Sequence, residues 1–272
     1  MPITPGGALL SPFRALVVQR RVIELFVARD LRGRYVNSAL GLWWAVIQPL
    51  FLLAVYTFVF SYIMQVRFTE NVDTGEFALV LFCGLLPWLA FADAVTRASS
   101  VLVEQTPLIK KVVFPSEILP VHLVLSALLV ELIGLAVFLA VLVVLGRLPG
   151  PALFAIPVVL ALQFLFTTGV AWVLATFAVY LRDVRQLVGL LLTLWMFLTP
   201  IVWPPTLVPD RFLWVLRLNP MWYVVEAYRS AVYYGRIPDP IPLAVFAGMA
   251  LTVFVCGYWI FHRSKQTFAD LL

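Results

Sequence analysis

Asp93, Arg97 and Glu131 stand at mid-depth in long apolar runs, where an ionised side chain costs roughly 3 kcal/mol or more. Such groups are kept for pairing or for chemistry. Arg97 lies one helical turn from Asp93, on the same face of a helix. Glu131 falls in the next apolar run, which returns antiparallel to the first. Two chemistries are open to the three: an ion-pair network that pins neighbouring helices, or a relay for protons or cations. A relay needs further titrating groups along a path, and the other apolar runs carry none at that depth.

A second group of reactive types is the island Leu108 to Pro120, with Lys110, Lys111, Phe114, Pro115 and Glu117. Two adjacent lysines cannot remain in hydrocarbon, so the island surfaces at a membrane face, and lysine favours the cytoplasmic one. It keeps Ile109, Val112, Val113 and Ile118 as well, more apolar surface than a turn needs, and so is expected to dock on something in the cytoplasm. No G-x-x-x-x-G-K-[ST] phosphate loop occurs. If nucleotide drives this protein, ATP and magnesium belong to another chain. His122 and His262 are the two histidines, both near ends of apolar runs, and no Ser/His/Asp grouping accompanies them. An enzyme is therefore not expected, nor a metal. Cys83 and Cys256, each inside an apolar run, read as small apolar fillers.

The elements that must position these residues follow from composition. Of 272 residues 63% are apolar and 12% charged, with mean hydropathy +1.01. A soluble domain has about a quarter charged. The expected fold class is an all-α polytopic membrane protein. Six transmembrane helices are placed at about 38–64, 78–104, 120–145, 152–180, 187–203 and 243–261, forming one transmembrane domain over 38–261. Residues 1–13 read as a loose tail without a cleavable signal pattern, and 262–272 as a second tail. With both termini on one side, that side holds twelve of the 19 Lys and Arg residues and the other side six, with Arg97 inside the second span. The bias puts both termini in the cytoplasm. The net charge of +5 is spread over span ends and makes no nucleic-acid footprint.

Residues 14–34 are too polar to span. Val18, Val22, Leu25 and Phe26 recur at helical spacing among arginines, which predicts a helix lying in the interface plane. A plain basic flank is the alternative. In the first span Pro49 removes a backbone donor and is expected to kink the helix. In the segment 204–242, Asn219-Pro220 is a helix start, capping residue then Pro at the first position. Gly235 is the stop. The helix between carries Trp222, Tyr223, Glu226 and Arg229. It is too aromatic for a free loop and too polar to span, so it is expected to dip into the outer leaflet under protein cover. Tyr56 and Phe60 in the first span, with Trp195 and Phe197 in the fifth, could stack on sugar rings, or simply face lipid.

Four stretches together resemble the membrane subunit of bacterial type-2 ATP-binding-cassette exporters for polysaccharides, the permeases for O-antigen, capsule and teichoic acid. They are Arg29-Asp30-Leu31-Arg32-Gly33-Arg34-Tyr35 with Ser38, Gly41, Trp44 and Pro49; the island Leu108–Pro120; Arg182-Asp183-Val184 with Gln186, Thr199-Pro200-Ile201 and Pro204; and Asn219-Pro220 with Glu226-Ala227-Tyr228-Arg229 and Gly235. The resemblance implies a homodimer in the bacterial inner membrane, enclosing a path lined by the first and fifth spans, where Tyr56, Phe60, Trp195 and Phe197 lie. It implies two separate nucleotide-binding ATPase subunits, met by the 14–34 helix (Arg29, Asp30, Arg32) and by the island. It makes the helices between spans five and six an outer gate. The implied substrate is a lipid-linked polysaccharide. A type-2 permease for drugs or small lipids shares these features, and an ion-coupled secondary transporter using Asp93, Arg97 and Glu131 is the reading from another class.

Overall fold

Helix α3, Thr74–Glu104, is the axis of the protein. Within it the span Glu76–Glu104 is 83% buried, against 28% for the last helix. Its apolar residues run all round the helix, so every face seeks a neighbour. Small residues (Cys83, Gly84, Ala90, Ala94, Ala98) let those neighbours come close. The computed structural model describes residues 12–14, 16–35, 40–64, 74–111, 114–148, 150–181, 183–205 and 208–272, and among them there is no strand.

After helical residues at 12–14 and 16–18 comes α1, Arg20–Tyr35. A 3-10 turn at Gly41–Trp43 leads into α2, Trp44–Tyr56, which loosens into π-helix over Thr57–Ile63. After α3 come the short α4, Thr106–Lys111, and then α5, Ile118–Val144. Helix α6, Ile156–Tyr180, is led in by a 3-10 turn at Pro151–Ala155. Helix α7 is Val184–Leu198, α8 Leu213–Leu218 and α9 Pro220–Tyr228, the last continuing as π-helix through Arg229–Tyr233. Helix α10, Pro240–Ser264, and the terminal turn α11, Phe268–Leu271, complete the chain. Helix α3 packs on α5, α6, α7 and α9, while α2 lies against α5 and α3.

Among the described residues, four helical stretches are long and apolar enough to cross a membrane: Glu76–Glu104, Ile118–Val144, Pro151–Tyr180 and Pro240–Thr267. The helices at the first and fifth expected spans are shorter, Trp44–Phe60 and Val184–Leu198. The fifth stops at Leu198 rather than continuing to 203. Pro200 disfavours helical geometry in the residue before it, and Thr199 is extended (φ −93°, ψ 131°). Pro49 lies inside α2.

The closest helix pair is α6 with α10. A Cβ added at Gly257 would sit 2.3 Å from the Gly169 carbonyl oxygen, and one at Gly169 would sit 2.5 Å from the Val253 carbonyl oxygen. Only glycine permits this backbone approach. Trp172 and Phe254 seal the pair on one side, with ring centroids 5.1 Å apart.

Candidate coupling platform and outer latch

The first cluster lies where α1 crosses the end of α3. Ile23, Val27, Asp30 and Arg34 recur at i, i+4, i+7 and i+11, one stripe of a helix. Ile23 and Val27 are buried, and Asp30 and Arg34 extend the stripe onto α3. Arg34 Nη2 donates to Asp93 Oδ2 at 2.6 Å and its Nε to Asp30 Oδ2 at 3.3 Å. Arg97 Nη2 donates to Asp30 Oδ1, and its Nη1 stands 3.7 Å from Asp93 Oδ2. Burial lifts the Asp30 carboxyl, but Arg97 and Arg34 outweigh it and hold Asp30 below its ordinary value. The expected apolar face of this helix divides: Phe26 and Val22 turn inward, whereas Val18 and Leu25, 73% and 70% exposed, point away. The stripe that packs is the one carrying Ile23 and Val27, which the sequence reading had not singled out.

Asp93 and Arg97 therefore meet each other as expected, but their main partners are Arg34 and Asp30 of α1. Glu131 is not among them. It is buried farther along α5, accepting from the Tyr228 hydroxyl and from Gln163 Nε2 at 2.8 Å. Gln163 Nε2 also donates to the Pro87 carbonyl at 3.2 Å. The expected three-residue network is thus two separate networks. The spacing of Asp93 and Glu131 along their helices puts them at different depths, and each has found partners from α1 or from α6 and α9. Among the described residues the two make no direct hydrogen bond or ion pair with each other, although both line the cavity between α2, α3 and α5.

The island forms a platform with α1 and the C-terminal segment. Phe114 stacks on Phe26 (centroids 5.6 Å), and Phe26 on His122 (5.3 Å). The Phe114 ring, expected with the island to meet a partner, glues the island to α1, since a half-buried aromatic gains from a neighbouring ring. Glu117 is also turned inward. Its carboxylate pairs with Lys265 Nζ at 2.6 Å and its carbonyl accepts from Trp172 Nε1 at 2.9 Å. Pro115 is half-buried, while Arg29, Arg32 and Lys110 are exposed. The Lys111 side chain and residues 112–113 lie outside the described residues, as do Ser38 and Arg182. No tail reading foresaw the last helix's part here. Phe268 is fully buried against Phe261 (5.2 Å), and Tyr180 and Thr267 share a hydrogen bond of 2.9 Å.

At the opposite end is the latch. Asn219 caps α9, its Oδ1 accepting from the Met221 amide at 3.1 Å with Pro220 at the first helical position. The same oxygen accepts from Trp195 Nε1 at 2.8 Å, and Asn219 Nδ2 donates to Thr199 Oγ1 at 2.9 Å. One side chain so ties the start of α9 to the end of α7. Arg229 is 1% exposed. It donates to the carbonyls of Pro200 (2.7 Å), Ile201 (2.8 Å) and Val80 (3.3 Å) and to Glu226 Oε1 (3.0 Å). Gly84 makes its room, because a Cβ there would lie 3.2 Å from the guanidinium. The chain turns out of α9 at Gly235, where φ is +63°. Trp222 and Tyr223 stack at 4.9 Å, and the Tyr223 hydroxyl donates to the Arg217 carbonyl at 2.7 Å.

The four aromatics expected on a path separate. Tyr56 and Phe60 stack on each other at 5.9 Å and Phe60 reaches Phe77 at 5.1 Å. Trp195 is turned inward among Trp88, Phe91 and Phe166, a correction to the free aromatic face expected of it. Its hydrogen bond to Asn219 needs that orientation. Phe197, two residues on, projects outward at 60% exposure.

A helical membrane protein with a docking platform at one end and a covered, arginine-latched helix at the other has the architecture of a transport permease. The profile of the ABC-2 type transporter family matches residues 21–233, and the chain belongs to that family. It is similar to the O-antigen export system permease protein RfbA of Myxococcus xanthus, 32% identical across 94% of this chain and 97% of that one. A protein of the same description from Klebsiella pneumoniae is 30% identical over 92% and 95% of the two chains. The polysialic acid transport protein KpsM of Escherichia coli is 23% identical over 92% and 95%.

Proposed function

We propose that this chain is the membrane-spanning subunit of an ATP-driven exporter that moves a polysaccharide or lipid-linked glycan across the bacterial cytoplasmic membrane. The observation that carries the reading is the platform, considered with the export systems named for the relatives. Helix α1, the island and the C-terminal segment are knit through Phe26–Phe114, Arg34–Asp93 and Glu117–Lys265. They present Arg29, Arg32 and Lys110 outward. A push on this face reaches α3 directly through Asp30 and Asp93. The platform is the cytoplasmic end, where both termini lie. Its partner is a nucleotide-binding ATPase on another chain, which supplies ATP and magnesium. Two copies of this chain pair through the outward faces of α2 and α7, where Phe51, Phe58, Leu190, Leu194 and Phe197 are exposed. The glycan passes between them, and α9 with its Arg229 anchor is the outer gate.

Affinity capture of the full chain from its native membrane tests this, reading a copurifying ATPase and bound carbohydrate. The Lys110→Glu, Arg32→Glu double variant is expected to insert normally, lose the ATPase and stop export. Undiminished capture and export by that variant would remove the platform from the coupling role.

A further inference from the structure

Two cavities in the protein share a wall. One, about 730 Å³, lies between α2, α3 and α5 and is mainly apolar, with Ile47, Leu52, Leu86 and Val130 in its lining beside Gln48 and Glu131. The other, about 550 Å³, lies between α1 and α3 and is lined by four arginines against three carboxylates, with Thr96 and Ser100 adding hydroxyls. Arg34 and Asp93 line both. The apolar chamber extends along α3 from Asp93 to Phe82, eleven residues or roughly 16 Å, about half of a ~30 Å hydrocarbon core. Its rim opens outward at Leu89, which is 43% exposed. In the α1–α3 cavity, beside the shared wall, Arg97 Nη1 is buried without a hydrogen bond among the described residues, 3.7 Å from Asp93 Oδ2. Arg34 spends its Nε and Nη2 on carboxylates.

We infer that the two chambers together form a site for one anionic phospholipid of the surrounding bilayer, its hydrocarbon chain in the α2–α3–α5 chamber and its phosphate at Arg34 and Arg97. The depth of one leaflet, the apolar wall and the excess of cation at one end match an amphiphile that is charged at one end only. The phosphate would compete with Asp93 for Arg34, so the bound lipid loosens the grip of α1 on α3. This assignment stands whatever cargo the protein moves.

The test uses the purified full chain in nanodiscs of phosphatidylcholine doped with phosphatidylglycerol, with retained lipid read by native mass spectrometry. The wild type is expected to favour phosphatidylglycerol about fivefold, the preference one cation near an anionic lipid gives. Arg34→Gln should bring this to parity, Asp93→Asn should raise it, and Ile47→Trp should displace both lipids. The opposite signs of the two charge variants separate a phosphate site from a merely structural ion pair, which either variant would weaken alike. Should Arg34→Gln fail to fold, Asp93→Asn decides alone: a higher preference supports the site, and an equal or lower one overturns it. Parity in the wild type overturns it too, as does retention of an isoprenoid diphosphate from the cell in place of phospholipid.

Discussion

Arg229 at the latch and the Arg34–Arg97 pair at the platform are both withdrawn from open water, yet they are held in different ways. Arg229 is met mainly by backbone carbonyls, from Val80, Pro200 and Ile201. Pro200 and Ile201 lie in the turn after α7 and Val80 within α3, and backbone acceptors cannot re-pair without moving the chain. Arg34 and Arg97 are met by the carboxylates of Asp30 and Asp93, on side chains of two helices that are 14–37% exposed. Carboxylates exchange partners at little cost when water is near. The first arrangement suits a fixed fulcrum, and the second suits a joint that slides or opens.

The largest effect should come from Arg229→Leu. It strands three carbonyls and Glu226 at a buried site and is expected to cost about 3–5 kcal/mol. Thermal unfolding in detergent would show a large fall, and Arg229→Lys would recover only part of it, since one ammonium cannot span the three carbonyls. Unfolding unchanged by Arg229→Leu would erase the distinction between the two ends.

Asp30→Ala should act locally. Hydrogen exchange in residues 20–35 is expected to rise about tenfold, the counterpart of losing one part-buried ion pair worth about 1.4 kcal/mol, while the melting temperature barely moves. A global loss of stability would mean that the platform is as rigid as the latch. The smallest effect belongs to the Glu117–Lys265 pair. Lys265 is about a third exposed, and a double-mutant cycle with Glu117→Gln and Lys265→Met should give a coupling of about 0.5 kcal/mol.

What the sequence made legible follows the same division. The α9 start at Asn219-Pro220 and its stop at Gly235 are local signals, a cap, a proline and a left-handed residue, and they stand where expected. Asp93 and Arg97 are one turn apart and could be paired by counting. Arg229 and Val80 are 149 positions apart, and the carbonyls it binds have no side-chain signature at all. Gln163 and Tyr228 as the partners of Glu131 were equally hidden, because a lone glutamine in an apolar run looks like any other polar interruption. Phe114 was misjudged in direction only: its type announced a contact, but not whether the contact lay in this chain or another. Helix α1 was read from its apolar residues, whereas its charged ones, Asp30 and Arg34, set which face turns inward.

The shortness of α7 has a consequence for the membrane itself. Fifteen residues of α-helix give about 22 Å, roughly 8 Å less than the usual hydrocarbon thickness. Lipid meeting this helix must compress, or polar groups must be drawn inward to meet its ends. In the dimer proposed above the face of α7 meets the second copy, so anything hydrophilic that crosses between the copies has a shorter hydrocarbon depth to traverse there than beside the four longer helices.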